Sequence, residues 1–470
     1  MTGARPAGDT ELARDLRRAV PGLTVRTGSA LDAYGRDEGY ARRGADLRPD
    51  AVALPASTEQ VSALLRFAHR ARIPVVPWGS GTSLEAQGLA LHGGVTVDMR
   101  SMNRTRRLLL DDFEIEVEAG ALYEDVNARL RPHGLFFPPN PGAPATIGGM
   151  ISNNSSGSRA VKYGVTRDHV ARLEVVLPDG TVTRLGSRAR KTASGYDLMD
   201  LVIGAEGTLC VITSAVLRLT PAPDARRGAA IRFPDVDAAA ALVAPVLGSG
   251  ALPASLELLD ERVAATLAQT SPLPPGPGAV LLVECDGQDA TAVEAELMGI
   301  TALAEEDGTV LPLGQDDFRE VMKARKTLGW DLVRTAGMRT LKLLDVAVPL
   351  SAYAAAVRHV YRVLDDLELT GYVLGHAGDG NLHVLIASDW RDTALWDRTL
   401  RAEKEIVAHA LDAEGTITGE HGIGAAKRHL LEAEHGAAVA LMAAVKRAFD
   451  PHGIMNPGKI LPSGTPSETP

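Results

Sequence analysis

The chain has 470 residues, 45% of them hydrophobic, and a formal net charge of -10, enough to bury two or three packed domains. It carries no basic stripe, which excludes a nucleic-acid footprint, so anionic substrates must be drawn by local Arg or Lys against the global field. No window approaches the ~18 consecutive apolar residues of a membrane span, and the start "MTGARPAGDTELARDLRRAVPG" lacks the apolar core of a signal peptide; a cytoplasmic protein is expected, with peripheral membrane attachment left open.

Residues 10–20 have the pattern of a short amphipathic helix. The stretch 57–72, "STEQVSALLRFAHRAR", predicts a clearer one: Ser57 and Gln60 have capping-box spacing, and Val61, Leu64, Leu65 and Ala68 form one stripe. "IPVVPWG" reads as a buried strand ending in a glycine loop. A helix over "LYEDVNARLRPHG" precedes a Pro-rich loop at 138–144, and "VARLEVVLPDGTVTRL" predicts a hairpin around a Pro-Asp-Gly turn. A boundary falls near "TPAPDARRG", 220–228, where Pro and charge replace the apolar pattern.

Beyond it, helix "VDAAAALVAPVLG", strand "AVLLVECDG", helix "ATAVEAELMGITALAEEDG", strand "LKLLDVAVP" and helix "SAYAAAVRHVYRVLDDL" follow one another. A hairpin, "YVLGHAGDGNLHVLI", and helix "LWDRTLRAEKEIVAHALDAEG" complete an expected α+β sandwich with helices on one face. A last helix, near 436–449, leads into "DPHGIMNPGKIL". The tail "PSGTPSETP" is polar and Pro-rich, the composition of a disordered segment. Cys210 and Cys285 sit in apolar, strand-like runs and read as buried, reduced thiols.

Three glycine-rich stretches stand out. "PWGSGTSLE", 77–85, follows a strand. Gly79 and Gly81 allow close approach of a ligand to bare backbone, and Ser80, Thr82 and Ser83 add hydroxyls. Alone it is equally an ordinary surface turn. "PGAPATIGGMISNNSSGSRAVKYG", 141–164, is a long loop of Gly, Ser and Asn, rich in donors and poor in bulk, which suits a large polar cofactor. "VIGAEGTLCVIT" places Gly204 and Gly207 before a β-rich run. The dinucleotide and P-loop glycine fingerprints are missing, so a cofactor here is held by another design.

The hairpin brings His376 and His383 to the mouth of a tight turn. Opposing positions there lie ~5 Å apart at Cβ, so the two imidazoles are either structural or two arms of a metal site. A catalytic metal takes about three protein ligands. "TITGEHGIGAAK" offers Glu420 as the third, beside His421 as a group for proton transfer.

With these motifs in order, the sequence resembles the FAD-linked oxidases and dehydrogenases of D-2-hydroxy acids, the vanillyl-alcohol-oxidase-like flavoproteins. It looks most like the FAD-dependent D-lactate dehydrogenases and the flavin subunit of glycolate oxidase. The resemblance spans about residues 47–460 and rests on "RPDAVALP", "VVPWGSGTSLEAQG", "TIGGMISNNSSGSRAVKYG", "VIGAEGTLCVIT", "GHAGDGNLH", "GEHGIG" and "MNPGK". It implies an α+β fold: a two-subdomain FAD-binding domain of the PCMH/VAO type, a ferredoxin-like α+β cap domain, and a C-terminal helical segment returning to the first. The implied boundaries are 1–46 for an N-terminal helical segment, 47–222 for the FAD domain, 223–430 for the substrate domain, 431–460 for the returning segment and 461–470 for a disordered tail.

The resemblance also implies roles. Gly79, Ser80, Gly81, Thr82 and Ser83 would hold the FAD pyrophosphate. Pro141, Gly142, Thr146, Gly149, Ser152, Asn153, Gly157 and Tyr163 would line the cofactor, Glu206, Gly207 and Ile212 would continue that wall, and Asn456 would close it. His376, His383 and Glu420 would bind zinc or manganese, with His421 as base. Arg325, in "KARKTLGW", would grip the substrate carboxylate, with Lys342, Trp330 and Leu385 as further substrate residues. The loop carries Ala86-Gln87 where the family has Gly or His, and no histidine, so FAD is expected to be non-covalent. Leu385 stands where dicarboxylate-specific relatives carry Asn, which points to a small or apolar substituent. A small D-2-hydroxy acid would thus be oxidised, with electrons leaving to a quinone, a cytochrome or an electron-transfer flavoprotein; a homodimer is compatible with the resemblance.

Overall fold

The computed structural model describes residues 10–37, 47–326, 328–329, 332 and 340–462. Of the tail expected over 461–470, residues 463–470 lie outside the described residues, as does Trp330, expected as a substrate residue. The chain divides into two compact units: one holds the chain up to Ser155, Val165–Pro221 and everything from His421 on, the other Ser156–Gly164 and Ala222–Glu420.

In the first unit, β1 (Thr24–Arg26), β2 (Ala51–Leu54), β3 (Val75–Trp78) and β4 (Val95–Asp98) form a sheet in the order β1-β2-β4-β3, with β2 and β3 parallel to β4. Parallel neighbours need a crossover, and helix Thr58–Ala71 supplies the one from β2 to β3. Its stripe of Val61, Leu64, Leu65 and Ala68 is buried, and the Ser57 hydroxyl accepts from Gln60 N. The capping box is shifted by one residue, because the Gln60 carboxamide accepts from Ala56 N at 2.8 Å and not from Ser57 N.

A second sheet takes β5 (Thr105–Leu109) and β6 (Glu114–Glu118). After the short β7 (Leu135–Phe136) it adds β8 (Val170–Val176), β9 (Val182–Gly186) and β10 (Val211–Arg218), in the order β5-β6-β10-β8-β9. The predicted hairpin is β8–β9, with Val176 opposite Val182 and Gly180 at φ +87° in its turn. β11 (Thr220–Pro221) pairs with β7.

The second unit is built on one antiparallel sheet. Its strands are β12 (Ala225–Arg232), β13 (Ser255–Leu259), β14 (Val280–Gly287), β15 (Thr309–Val310), β16 (Thr340–Ala347), β17 (Gly371–His376) and β18 (Asn381–Ser388), in the order β15-β12-β14-β13-β17-β18-β16. The expectation of helices on one face is overturned. Helices Ala290–Leu303 and Thr393–Asp412 pack on one side, while Glu261–Thr270 and Gln315–Arg325 cover apolar residues of the other. The cause is visible in β14: its near-continuous apolar run leaves both faces needing cover. No helix among the described residues is long and apolar enough to cross a membrane.

Candidate functional site

The glycine stretches converge on one cavity in the first unit. Residues 79–83 leave β3 and form one wall. Gly81 takes φ +76°, and a Cβ there would meet the Trp78 ring. A Cβ on Gly79 would collide with the Thr146 hydroxyl, which accepts from Gly149 N and so starts helix Ile147–Asn153. Thr146, Gly149, Ser152, Asn153, Glu206, Gly207 and Ile212 complete the lining. The resulting cradle is dominated by bare backbone and hydroxyls, which fits a large polar group such as FAD.

Pro141, Gly142, Gly157, Tyr163 and Asn456 are not on this lining. Gly142 is exposed on the loop. Gly157 and Tyr163 belong to the second unit, where the Tyr163 hydroxyl donates to Asp286 at 2.8 Å. Asn456 braces the wall from behind, its amide donating to the carbonyls of Gln87 (2.9 Å) and Glu206 (2.7 Å). Burial pushes the Glu206 carboxyl up to about 7, although it accepts from Ile423 N at 2.6 Å and Gly424 N at 2.8 Å. The Gln87 amide lines the same cavity and donates to the His421 carbonyl at 2.6 Å and to Asn153 Oδ1 at 3.2 Å. The backbone at His421 is thereby tied to the cavity wall.

In the second unit the two hairpin histidines are diagonal, not opposed. His383 faces Leu374 across β17–β18, and His376 pairs with Glu257 on β13. The turn 377–379 is a full 3-10 turn, which displaces the register by two residues and leaves both rings on one face. Their centroids lie 5.3 Å apart, nearly edge to face. Glu420 Oε1 is 3.2 Å from His376 Nε2 and 3.3 Å from His383 Nε2, and one donor atom from each residue falls within 4.8 Å of the others.

Each imidazole is backed by a carboxylate on its other nitrogen. His376 Nδ1 is 2.7 Å from Glu257 Oε1, and His383 Nδ1 is 3.4 Å from Asp345 Oδ1. That backing fixes ring orientation and is characteristic of metal-ligating histidine. Two imidazoles and a carboxylate converging in this way fit a divalent zinc- or manganese-type ion. Burial alone would lower the His376 pKa, but Glu257 and Glu420 outweigh it and raise the value to about 10. His383 is raised by Asp345 and Glu420 against the same burial. Burial opposes the charge on Glu420, yet the two histidines hold it well below the usual carboxylate range.

Arg325 ends helix Gln315–Arg325, and its guanidinium ion-pairs with Glu257, one residue removed from the His376 ring. Lys342 is not brought to the site. It pairs with Ile386, one position out of phase with Leu343–Leu385 and Asp345–His383, so it lies on the opposite face and reaches Glu403 at 2.8 Å. The two-residue period of a strand makes that one-residue offset decisive. Leu385 shares the face of His383 and packs in an apolar cluster with Tyr372 and Leu374.

Reading the sequence missed Glu257, Asp345 and Gln87. Glu257 and Asp345 are single acids inside apolar strands and are fully buried. That mismatch with pattern was the available signal. Gln87 stood out only as a departure in the first glycine loop.

Known proteins share the sequence of both units. Residues 49–186 match the family described as FAD binding domain, and residues 222–460 match FAD linked oxidases, C-terminal domain. The chain is 39% identical over 419 residues to the mitochondrial D-lactate dehydrogenase [cytochrome] of Arabidopsis thaliana, covering 88% of this chain and 74% of that one. It is 35% identical over 418 residues to glycolate oxidase subunit GlcD of Bacillus subtilis, covering 88% and 89%. Among solved structures, 4-ethylphenol oxidase from Gulosibacter chungangensis shares the fold with a TM-score of 0.76 at 19% identity, over 96% of this chain and 97% of that one.

Proposed function

The chain belongs to the FAD linked oxidases, and on that premise we propose that this FAD-linked oxidoreductase converts a small D-2-hydroxy acid of the lactate type to its 2-oxo acid. The first unit, with the returning segment from His421 on, serves as the cofactor domain, and the second, ending at Glu420, as the substrate domain. The observation that carries the reading is the His376–His383–Glu420 cluster with its two backing carboxylates, followed along the chain by His421.

The cavity of the first unit would hold FAD, which would supply the two-electron sink. His376, His383 and Glu420 would hold a divalent ion, which would supply Lewis acidity toward the substrate hydroxyl. His421 takes the hydroxyl proton as general base, the role histidine fills most often in such catalysis. Arg325 meets the substrate carboxylate, because a guanidinium fork has five N–H donors and the pairing with Glu257 does not exhaust them. Leu385 packs with Leu374 and Tyr372 in an apolar cluster on the sheet face that carries His383. This favours a lactate-like substituent over a second carboxylate, whose burial there would go unpaired. Electrons leave to a non-nicotinamide acceptor, a quinone, cytochrome or electron-transfer flavoprotein; the Arabidopsis relative is named for a cytochrome.

The test is anaerobic bleaching of the flavin by D-lactate, L-lactate, glycolate and D-2-hydroxyglutarate. D-lactate should bleach it fastest and L-lactate should not. A flavin that stays oxidised with all four would remove the reading. A second reading, a glycolate-oxidising subunit, is favoured by the match to GlcD across 89% of that chain. In that case glycolate leads the panel, and reoxidation by acceptors requires partner chains.

A further inference from the structure

We propose that Ser156 is a positioning residue for the metal site: its hydroxyl holds Glu420 in the orientation that ligates, and so sets metal affinity. The inference rests on the metal reading above and extends it to a residue outside the ligand set.

A carboxylate has two oxygens, and the use of one constrains the other. Glu420 Oε1 points at the Nε2 atoms of His376 and His383. Glu420 Oε2 accepts from Ser156 Oγ at 2.8 Å. With Oε2 held by a hydroxyl donor, the side chain presents a single oxygen to an ion. One-oxygen ligation with two imidazoles suits zinc or manganese, whereas calcium sites draw on many oxygens and bidentate carboxylates. The main chain at Glu420 is fixed as well, its N–H donating to Asp345 Oδ2 at 2.9 Å. Backbone and carboxylate are therefore pinned separately, and Ser156 does the second.

Ser156 is itself well held. It is 8% exposed. The preceding carbonyl, that of Ser155, accepts from Thr166 N at 3.1 Å and Thr166 Oγ1 at 2.6 Å, and the Ser155 N–H donates to Met150 O at 2.9 Å. On its other side, the Gly157 carbonyl accepts from Ala160 N at 3.0 Å. A donor on a backbone braced on both sides costs little ordering entropy when it engages the carboxylate. Outer partners of this sort are worth ~10–100-fold in metal affinity.

Ser156 follows Ser155, which lines the cofactor cavity, so the experiment must hold flavin content constant. FAD-loaded wild type, Ser156→Ala, Ser156→Cys and Ser156→Thr are stripped with a chelator. They are then titrated with Mn2+, read from the paramagnetic resonance of free ion, and with Zn2+ against a chromogenic chelator. Wild type and Ser156→Thr should bind one ion with similar affinity. Ser156→Ala and Ser156→Cys, which lack a strong O–H donor, should each bind ~10–100-fold more weakly at unchanged flavin content. Wild-type affinity in Ser156→Ala or Ser156→Cys overturns the role of Ser156 while leaving the metal reading intact. A wild type that takes up neither ion overturns both, and the two failures are thereby told apart.

Discussion

Glu257→Gln separates the two tasks of one buried acid. Glu257 is fully buried, sits 2.7 Å from His376 Nδ1 and ion-pairs with Arg325, whose side chain is only 10% exposed. Glutamine keeps the shape and one acceptor but loses the charge, and its amide N–H faces a guanidinium that can only donate. Removing one partner of a buried pair costs ~3–5 kcal/mol, because the other charge is left uncompensated. Losing the backing of a metal-ligating histidine costs a further ~10–100-fold in metal affinity. Thermal denaturation of the FAD-loaded protein checks the first figure, and Mn2+ titration of the chelator-stripped protein checks the second. Lower stability with weaker binding is expected; Glu257→Gln protein with wild-type midpoint and wild-type Mn2+ affinity would refute the reasoning.

His421→Ala should retain FAD and slow flavin reduction by D-lactate ~10²–10⁴-fold in stopped-flow measurements, the range for loss of a general base. Chelator treatment should abolish bleaching by substrate and leave bleaching by dithionite intact, as followed by the flavin absorbance. Burial pushes the Cys210 and Cys285 thiols up to about 12, so neither should react with a thiol reagent at pH 8 until the protein is denatured, when two thiols appear. The sign for stability follows: between pH 9 and 12 the native state binds more protons than the unfolded chain, so these thiols make stability fall as pH rises through that window. Lys446→Met strips buried Asp450 of its cation (2.6 Å) and frees the carbonyls of Thr208 and Met455; the expected loss is ~3–5 kcal/mol, read as a lower thermal midpoint.

Local signals carried much of the cofactor cradle. The runs at 79–83, 146–153 and 206–212 are each recognisable as glycine- and hydroxyl-rich backbone, and the structure places all three on one cavity. His376, His383 and Glu420 were likewise visible as polar residues in tight turns. The partners that make them a site were not, because they depend on strand order. Glu257 reaches His376 only because β13 pairs with β17 across more than a hundred residues, and Ser156 reaches Glu420 across 264. Nothing local encodes such pairings. Lys342 failed for the opposite reason: the strand was recognised, but one residue of register decides the face.

The charge balance of six groups in the second unit bears on the proposed metal site. Glu257, Asp345 and Glu420 are linked to Arg325, His376 and His383 by hydrogen bonds and ion pairs. With neutral imidazoles, three carboxylates against one guanidinium leave these six groups with two negative charges, in a place where unpaired charge is costly. There are two ways to cancel them. Both histidines can take a proton, and that is the direction in which their neighbours push them. Alternatively, one dication can occupy the point on which both Nε2 atoms and Glu420 Oε1 converge, with both rings neutral as ligation requires. In either case the raised histidines and the lowered glutamate have one cause, the mutual charge of these six groups.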